Sequence, residues 1–284
     1  MDDMNEQLQA GLRAVKPLSP SLVTLLGVTA AEHTLQDVLK IIQLDAVLTA
    51  RLLRAANSAA FRRTQEVDSL GMAVSLLGER YVVGMAMELS SDGFFDQPLA
   101  GYESAAGDLW RHSIKAALAG RLICRYARAR VTVDSNQAFT GGILHDIGKA
   151  VLSAALDGAA RDMALSVAGD QSSYLEAEHS RLGYDHCEAG VALAVQWRLP
   201  ECYKAAIGFH HKPDQAPDGQ KPLVFAVHLG DAFAMLSGAG TGSDSLLYPL
   251  HPDHALYFDL SPENVQRILL DLENEYAAIT ESIA

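Results

Sequence analysis

The sequence has no apolar run long enough to cross a bilayer, which argues against a membrane-embedded chain and a membrane partner. Cysteine is scarce. Cys124, Cys187 and Cys202 show no CxxC spacing, so neither a disulfide framework nor a thiolate zinc site is indicated, and the three read as thiols in a reducing cytoplasm. Positive charge is also short, 22 Lys and Arg against 35 Asp and Glu, and a net charge of -13 argues against nucleic-acid binding by phosphate neutralisation. Low-complexity tracts and clear internal repeats are absent, and so is the period-two alternation of a half-buried strand. The opening Met1-Asp2-Asp3-Met4-Asn5-Glu6 is acidic and polar, unlike a secretory signal. No phosphate-cradling glycine pattern accompanies Arg62-Arg63, so that pair reads as a solvated loop.

What is present is helical. With 49% hydrophobic residues over 284 positions, the chain can bury a sizeable core in one large domain or two smaller ones. Thr34 with Asp37 resembles a capping box before Leu35, Val38, Leu39 and Ile42, and Asp45 and Ser69 can cap the two helices that follow. Ser91-Asp92-Gly93 and Gln97-Pro98 mark a break. Beyond it a long helix is expected over about 103–129. Further helices are expected from caps at Asp134-Ser135, Ser172 or Ser173, and Asp185, then from Pro200 to His210-His211, from Pro222 to Leu236, and from Ser261-Pro262 to about Ile283. Residues 238–243, Gly-Ala-Gly-Thr-Gly-Ser, read as a flexible loop, and His33 as an ordinary surface histidine. The class is all-α.

The chain is organised around Phe139-Thr140-Gly141-Gly142-Ile143-Leu144-His145-Asp146-Ile147-Gly148-Lys149. An adjacent His-Asp pair in so apolar a setting is partly dehydrated, and a buried carboxylate is costly unless a positive group meets it. A divalent metal would serve, since imidazole nitrogen and carboxylate oxygen both ligate such ions. Lys149, three residues after Asp146, falls near the same face of a common helix. Other polar residues set in apolar helices are Asp108, His112, His186, His210, His211 and Asp231. Singly each has a plainer explanation: a helix-terminal charge, a cap, or a hydrogen-bonded core histidine. Their spread over five helices is the stronger signal, because inward side chains from several helices build metal sites in bundles.

In that order, His112, His145-Asp146 with Lys149, His186, His210-His211 and Asp231 resemble the HD metal-dependent phosphohydrolase superfamily over about residues 103–237, with Asp108 in the place of an additional acidic ligand. Asp45 to Phe61, Ser75-Leu76-Leu77-Gly78 and Trp110-Arg111-His112-Ser113 resemble the HDOD family, the HD-related output domains of bacterial signalling, over about 17–236. The resemblance implies a multi-helix HD-domain-like bundle with an N-terminal helical subdomain. The expected division is 1–95, an HD-type part over 96–240, and a loop with a C-terminal helix over 241–284. It implies metal ligation by His112, His145, Asp146, His186, His210, His211 and Asp231, with Asp146 and Lys149 as catalytic groups should the site turn over. One to three divalent ions are implied, iron or manganese first and zinc third. Because the surface is anionic, Lys149, Lys204 and Lys212 would supply local positive charge to any anionic substrate. The Gly-Tyr-Pro signature of the related cyclic dinucleotide phosphodiesterases is missing after His210-His211, where the chain reads Lys212-Pro213-Asp214. Three functions remain open: a signalling output module acting on a protein partner, a metal-dependent phosphohydrolase on a nucleotide or other phosphoester, and a metal-free helical interaction protein.

Overall fold

A computed structural model describes residues 2–58, 61, 67–90, 94–129, 131–170 and 173–283. The expected Ser91-Asp92-Gly93 break, the Arg62-Arg63 pair and Ser172 lie outside the described residues. In the first half the helices are α1 (Asp2–Ala14), α2 (Pro20–Thr29), α3 (Leu35–Ile42), α4 (Ala46–Ala56), α5 (Leu70–Leu77) and α6 (Glu79–Ser90). The rest comprises α7 (Asp108–Tyr126), α8 (Ser135–Leu144), α9 (Ile147–Leu152), α10 (Ala160–Asp170), α11 (Tyr174–Leu182), α12 (His186–Gln196), α13 (Glu201–Phe209), α14 (Lys221–Leu236), α15 (His254–Tyr257) and α16 (Pro262–Ile283). The fold is all-α apart from a two-residue antiparallel ladder, β1 (Arg128–Ala129) with β2 (Phe258–Asp259).

Local chemistry sets many boundaries. Asp45, Ser69, Asp134, Ser173 and Asp185 each accept a backbone N–H from the first turn of the helix that follows. Thr34 and Asp37 close a capping box at α3, and α5 stops at Gly78 with φ 82°. The long helix expected from 103 starts later, at Asp108, because a short 3-10 turn over Ala100–Tyr102 and a left-handed Glu103 turn the chain first.

One contiguous core runs through the molecule, from Leu22, Leu25 and Leu26 in α2 to Ile268 and Leu272 in α16. Helices α8 and α14 pack along α7, α12 crosses α9, and α1 reaches over to α9 and α12. On its outer side α7 carries Lys115 and Arg121, which pair with Glu273 and Glu275 of α16, while Tyr126 donates to Asp271 at 2.5 Å.

Candidate metal centre

The His-Asp pair does not lie within one helix. It occupies the break between α8 and α9: His145 ends the first, Asp146 precedes the second, and Lys149 sits within α9. The turn aims both site side chains inward, where a continuous helix would separate them by a hundred degrees. Gly148 is required here. A side-chain carbon at that position would overlap the His186 carbonyl, so α9 meets α12 at Gly148 and Gly190, and His186 is carried against Asp146.

The structure brings seven of the expected residues together: His112 from α7, His145-Asp146, His186 at the start of α12, His210-His211 just after α13, and Asp231 from α14. His112 Nε2 lies 3.5 Å from Asp146 Oδ2 and 3.1 Å from Asp231 Oδ1, and His145 Nε2 lies 3.5 and 3.7 Å from the same oxygens. On the other side His186 Nε2 and His210 Nε2 lie 3.6 and 3.5 Å from Asp146 Oδ1. Asp146 therefore stands between two donor groups that share it, one with His112 and His145 and one with His186, His210 and His211. Ligands held about 2.1 Å from one ion stand about 3.0–3.4 Å apart around it, close to these separations.

Each ring is also aimed from behind. Nδ1–H donates to the Ala239 carbonyl from His112 at 2.6 Å, to Gly142 from His145 at 2.7 Å, and to Ile207 from His210 at 2.9 Å. His186 Nδ1–H donates to Glu178 Oε2 at 2.8 Å. All four Nε2 lone pairs then face the cluster, the arrangement in which outer partners fix a ligating histidine's tautomer. Asp146 Oδ1, Asp231 Oδ1, His186 Nε2, His210 Nε2 and both His211 nitrogens are buried without a hydrogen bond, a costly state for so many convergent atoms. Four buried carboxylates, of Asp146, Asp231, Glu178 and Asp244, stand in or beside the cluster, and Lys149, paired with Asp146 and Asp244, is its one lysine among the described residues. Donor set, orphaned atoms and charge balance all fit divalent metal.

The electrostatics agree for the two carboxylates, His145, His211 and Lys149; against burial, Asp231 raises His112, and Cys187 with Asp146 raises His210 to about 10, protons that a bound ion would displace. Burial alone would raise the Asp146 carboxyl, but Lys149, His145 and His210 outweigh it and hold the group well below the usual range. Asp231 is held down in the same way, against burial, by His112 and His145. Burial lowers His145, and burial with His210 lowers His211 strongly, leaving both neutral as a ligand must be. For His186, burial is outweighed by Glu178, which raises it well above its ordinary value. Burial likewise opposes protonation of Lys149, yet Asp146 and Asp244 keep it charged.

Other expected residues fall elsewhere. Asp108 is outside the cluster: it accepts the Ala105 N–H at 2.9 Å and pairs with Arg111 at 3.0 Å, serving its own helix start. Lys204 pairs with Glu201, and Lys212 is exposed. Lys149 is the lysine at the cluster, 2.8 Å from Asp146 Oδ2.

Several residues escaped the sequence reading. Glu178 orients His186 and accepts the Tyr102 hydroxyl at 2.7 Å. Its signal was available, since in α11 it shares the buried face of Tyr174, Leu175 and Leu182. Residues 238–243 were read as a flexible loop, yet they and the residues on to 248 dock onto the site. Asp244 Oδ2 stands 2.6 Å from Lys149 Nζ, Thr241 accepts from Lys149 at 2.8 Å, and Tyr248 stacks on His211 with centroids 3.7 Å apart. His228, buried with its ring lowered to about 4 chiefly by burial, donates to the His210 carbonyl and accepts from His251 N; it braces the wall of the site.

The sequence model of the HDOD domain family matches residues 17–213. An uncharacterized protein of Treponema pallidum (strain Nichols) is 25% identical over 199 residues, 68% of this chain; the chain spans about a third of that protein's length, 36%. An HDOD domain protein of unknown function from Geobacter sulfurreducens superposes with TM-score 0.65 at 22% identity, covering 99% of this chain and 97% of that one. A candidate signal transduction protein from Marinobacter aquaeolei VT8 gives TM-score 0.70 at 18% identity, over 98% of this chain and 64% of that one. A candidate phosphohydrolase from Shewanella amazonensis SB2B gives 0.66 at 22%, over 98% of each chain. At these identities the likeness is one of fold.

Proposed function

The chain belongs to the HDOD domain family, and from that premise we propose that it is a signalling output module whose His/Asp cluster holds divalent metal as an internal brace and which acts on a protein partner. The observation that carries this reading is closure. His112, His145, His186 and His210 are 0% exposed and Asp146 is 1% exposed, beneath residues 238–248. In this closed state the site has no mouth among the described residues for a phosphoester to be turned over, whereas an ion that ties five helical elements together needs none. His112, His145, Asp146 and Asp231 would hold one ion, and His186, His210, His211 and Asp146 a second, with three as the upper count. Imidazole and carboxylate without thiolate favour iron or manganese, with zinc third. The Marinobacter neighbour's name agrees with a signalling role.

A phosphohydrolase is the second reading, and Lys149 favours it. Its ammonium lies beside the carboxylate shared by both donor groups, where it would stabilise charge on a phosphoryl oxygen. Bound metal would contribute Lewis acidity and a water of lowered pKa. Elemental analysis, after expression with iron and manganese supplied, should find metal in the purified protein, and Asp146→Ala should remove most of it. Chelation should lower the melting temperature while the helical circular dichroism persists. The metal-loaded protein should hydrolyse none of a panel of linear and cyclic nucleotides, cyclic dinucleotides and an aryl phosphodiester. Metal-dependent turnover lost in Asp146→Asn would replace the output-module reading with the hydrolase. Metal-free protein would sink both.

A further inference from the structure

Residues 238–248 leave the end of α14 and cross the metal cluster as a strap. Its contacts with the site are polar, except that the Tyr248 ring at its end stacks on His211. The Ala239 carbonyl accepts from His112, and Thr241 Oγ1 accepts from Lys149 and donates to Asp244 Oδ1 at 3.1 Å. Asp244, 0% exposed, meets Lys149 and accepts the Tyr248 hydroxyl at 3.0 Å. Ser243 N donates to the Tyr102 carbonyl at 2.7 Å, and its hydroxyl meets Tyr174 at 3.0 Å. From 238 to 245 the strap is small and polar, with left-handed backbone at Gly238, φ 80°, and Gly242, φ 115°; Leu247 and Tyr248 at its end pack on the core. Gly242 lies so close to the Tyr102 carbonyl that a side-chain carbon there would overlap it. Helix α14 before it, by contrast, is buried along nearly its whole length through Leu223, Val224, Phe225, Val227 and Leu229.

Lys149 is thus held by two carboxylates at once. Asp146 belongs to the cluster and stays with it; Asp244 arrives on the strap. Were the strap lifted, Lys149 would remain anchored on Asp146 with one face of its ammonium free, next to the donor atoms of the cluster. That is the place a phosphate oxygen would take, and Asp244 supplies an oxygen anion of the same charge sign there. We propose that residues 238–248 are a built-in latch over an anion site for phosphate or a phosphoester, with the Asp244 carboxylate standing in for the anion's oxygen. The latch deepens the reading above, on which it rests for why a complete cluster is closed. It gives an output module two states, latched and open, that an anionic ligand can shift by binding one of them. A segment held by a few polar bonds and anchored at one end by the Tyr248 ring opens locally at less cost than a buried helix, so the latch need not unfold its neighbours.

The test uses the full chain and inorganic phosphate, titrated by calorimetry into the wild type, Asp244→Asn and Gly242→Ala. The first substitution removes the competing charge; the second unseats the strap by sterics and leaves every charge in place. Each should bind phosphate at least tenfold more tightly than the wild type, and adding Lys149→Met to Asp244→Asn should abolish the gain. In wild-type protein the amides of Ser243, Ser245 and Leu247, all hydrogen-bonded in the strap, should exchange hydrogen faster than those of α14. Variants that fold and bind phosphate no better than the wild type overturn the latch. So do strap amides that exchange only in step with α14, and that measurement decides alone if neither variant folds. Metal content of the same samples separates the two proposals: protein without metal defeats the metal-brace reading, whereas metal-loaded variants without phosphate gain defeat the latch only.

Discussion

The first and second halves of the molecule are both helical and share one core, but they bury different things. Among the described residues before 91, Thr29 is the single polar residue counted as buried, amid Leu22, Leu25, Leu26, Val38, Ile42, Leu48 and Leu52. After residue 100 the interior takes in His112, Lys115, Arg121, His145, Asp146, Lys149, Glu178, His186, His210, Asp231 and Asp244. Apolar burial stabilises at roughly 25 cal/mol per Å², whereas each buried ion costs several kcal/mol unless it is met. The first half is built as stability alone would build it. The second accepts desolvation, and apart from Lys115 and Arg121, which pair with α16, its charges converge on one point instead of scattering. A fold that gave up so much for packing would have used leucine; the convergence is the mark of a site.

The contrast is broken most sharply at Lys149. Replacing it with methionine keeps the volume and leaves Asp146 and Asp244 facing each other without a cation. The metal-free protein should lose about 3–5 kcal/mol of stability, the cost of breaking a buried pair from one side. The metal-loaded protein should lose less than half as much, since the ions also neutralise Asp146. Urea melts of loaded and chelated samples measure both, and an equal loss in the two would mean that metal does not share Asp146.

The converse experiment is Leu26→Ala in α2, where the side chain is 0% exposed. About 3 kcal/mol should go with the cavity. Metal content per folded molecule should not change, because no side chain of α2 touches the cluster. If metal leaves with Leu26, the two halves do not divide packing from chemistry as their burial indicates.

Much of the first half was legible because capping and periodicity are local. Thr34, Asp45, Ser69 and Gly78 mark boundaries within one turn of themselves. The cluster was legible for a different reason: His112, His186 and Asp231 are polar residues on otherwise apolar helices, and that mismatch needs no tertiary information. The break at His145-Asp146 was not visible, because Phe139 to Leu152 is apolar on every side and has no period to lose. Asp108 misled because spacing i, i+4 gives the face of a helix but not whether a first-turn carboxylate serves its own helix start. Asp244 and Tyr248 lie where glycine and serine predominate, a composition shared by solvated loops and by straps docked on a surface; only the docking, a long-range event, tells them apart. The two-residue ladder of β1 and β2 is too short to leave any alternation.

The smallest expected effect lies back in the first half, at His33, which the sequence reads as an ordinary surface histidine. Its side chain is 12% exposed, with Nδ1–H donated to the Ala31 carbonyl at 2.8 Å and Nε2 2.7 Å from Glu79 Oε2. Burial works against the charged ring, but the Ala31 carbonyl and the Glu79 carboxylate outweigh it and raise the group above its ordinary 6.5. A folded pKa above the unfolded one means that the native state binds the proton more tightly. The resulting stability is fully present below about pH 6.5 and is lost as pH rises through the folded value, where Nε2 loses its proton and turns a lone pair toward the carboxylate. His33→Gln should therefore cost roughly 0.5–1 kcal/mol at about pH 5.5, the scale of a partly exposed ion pair, and close to nothing at about pH 9. Metal content should be the same at every pH for variant and wild type. Denaturant melts of the two proteins across that range give the difference directly. A cost that grows toward high pH would show that the His33–Glu79 contact is not an ion pair, and a change in metal uptake would carry the influence of the first half further into the site than its packing suggests.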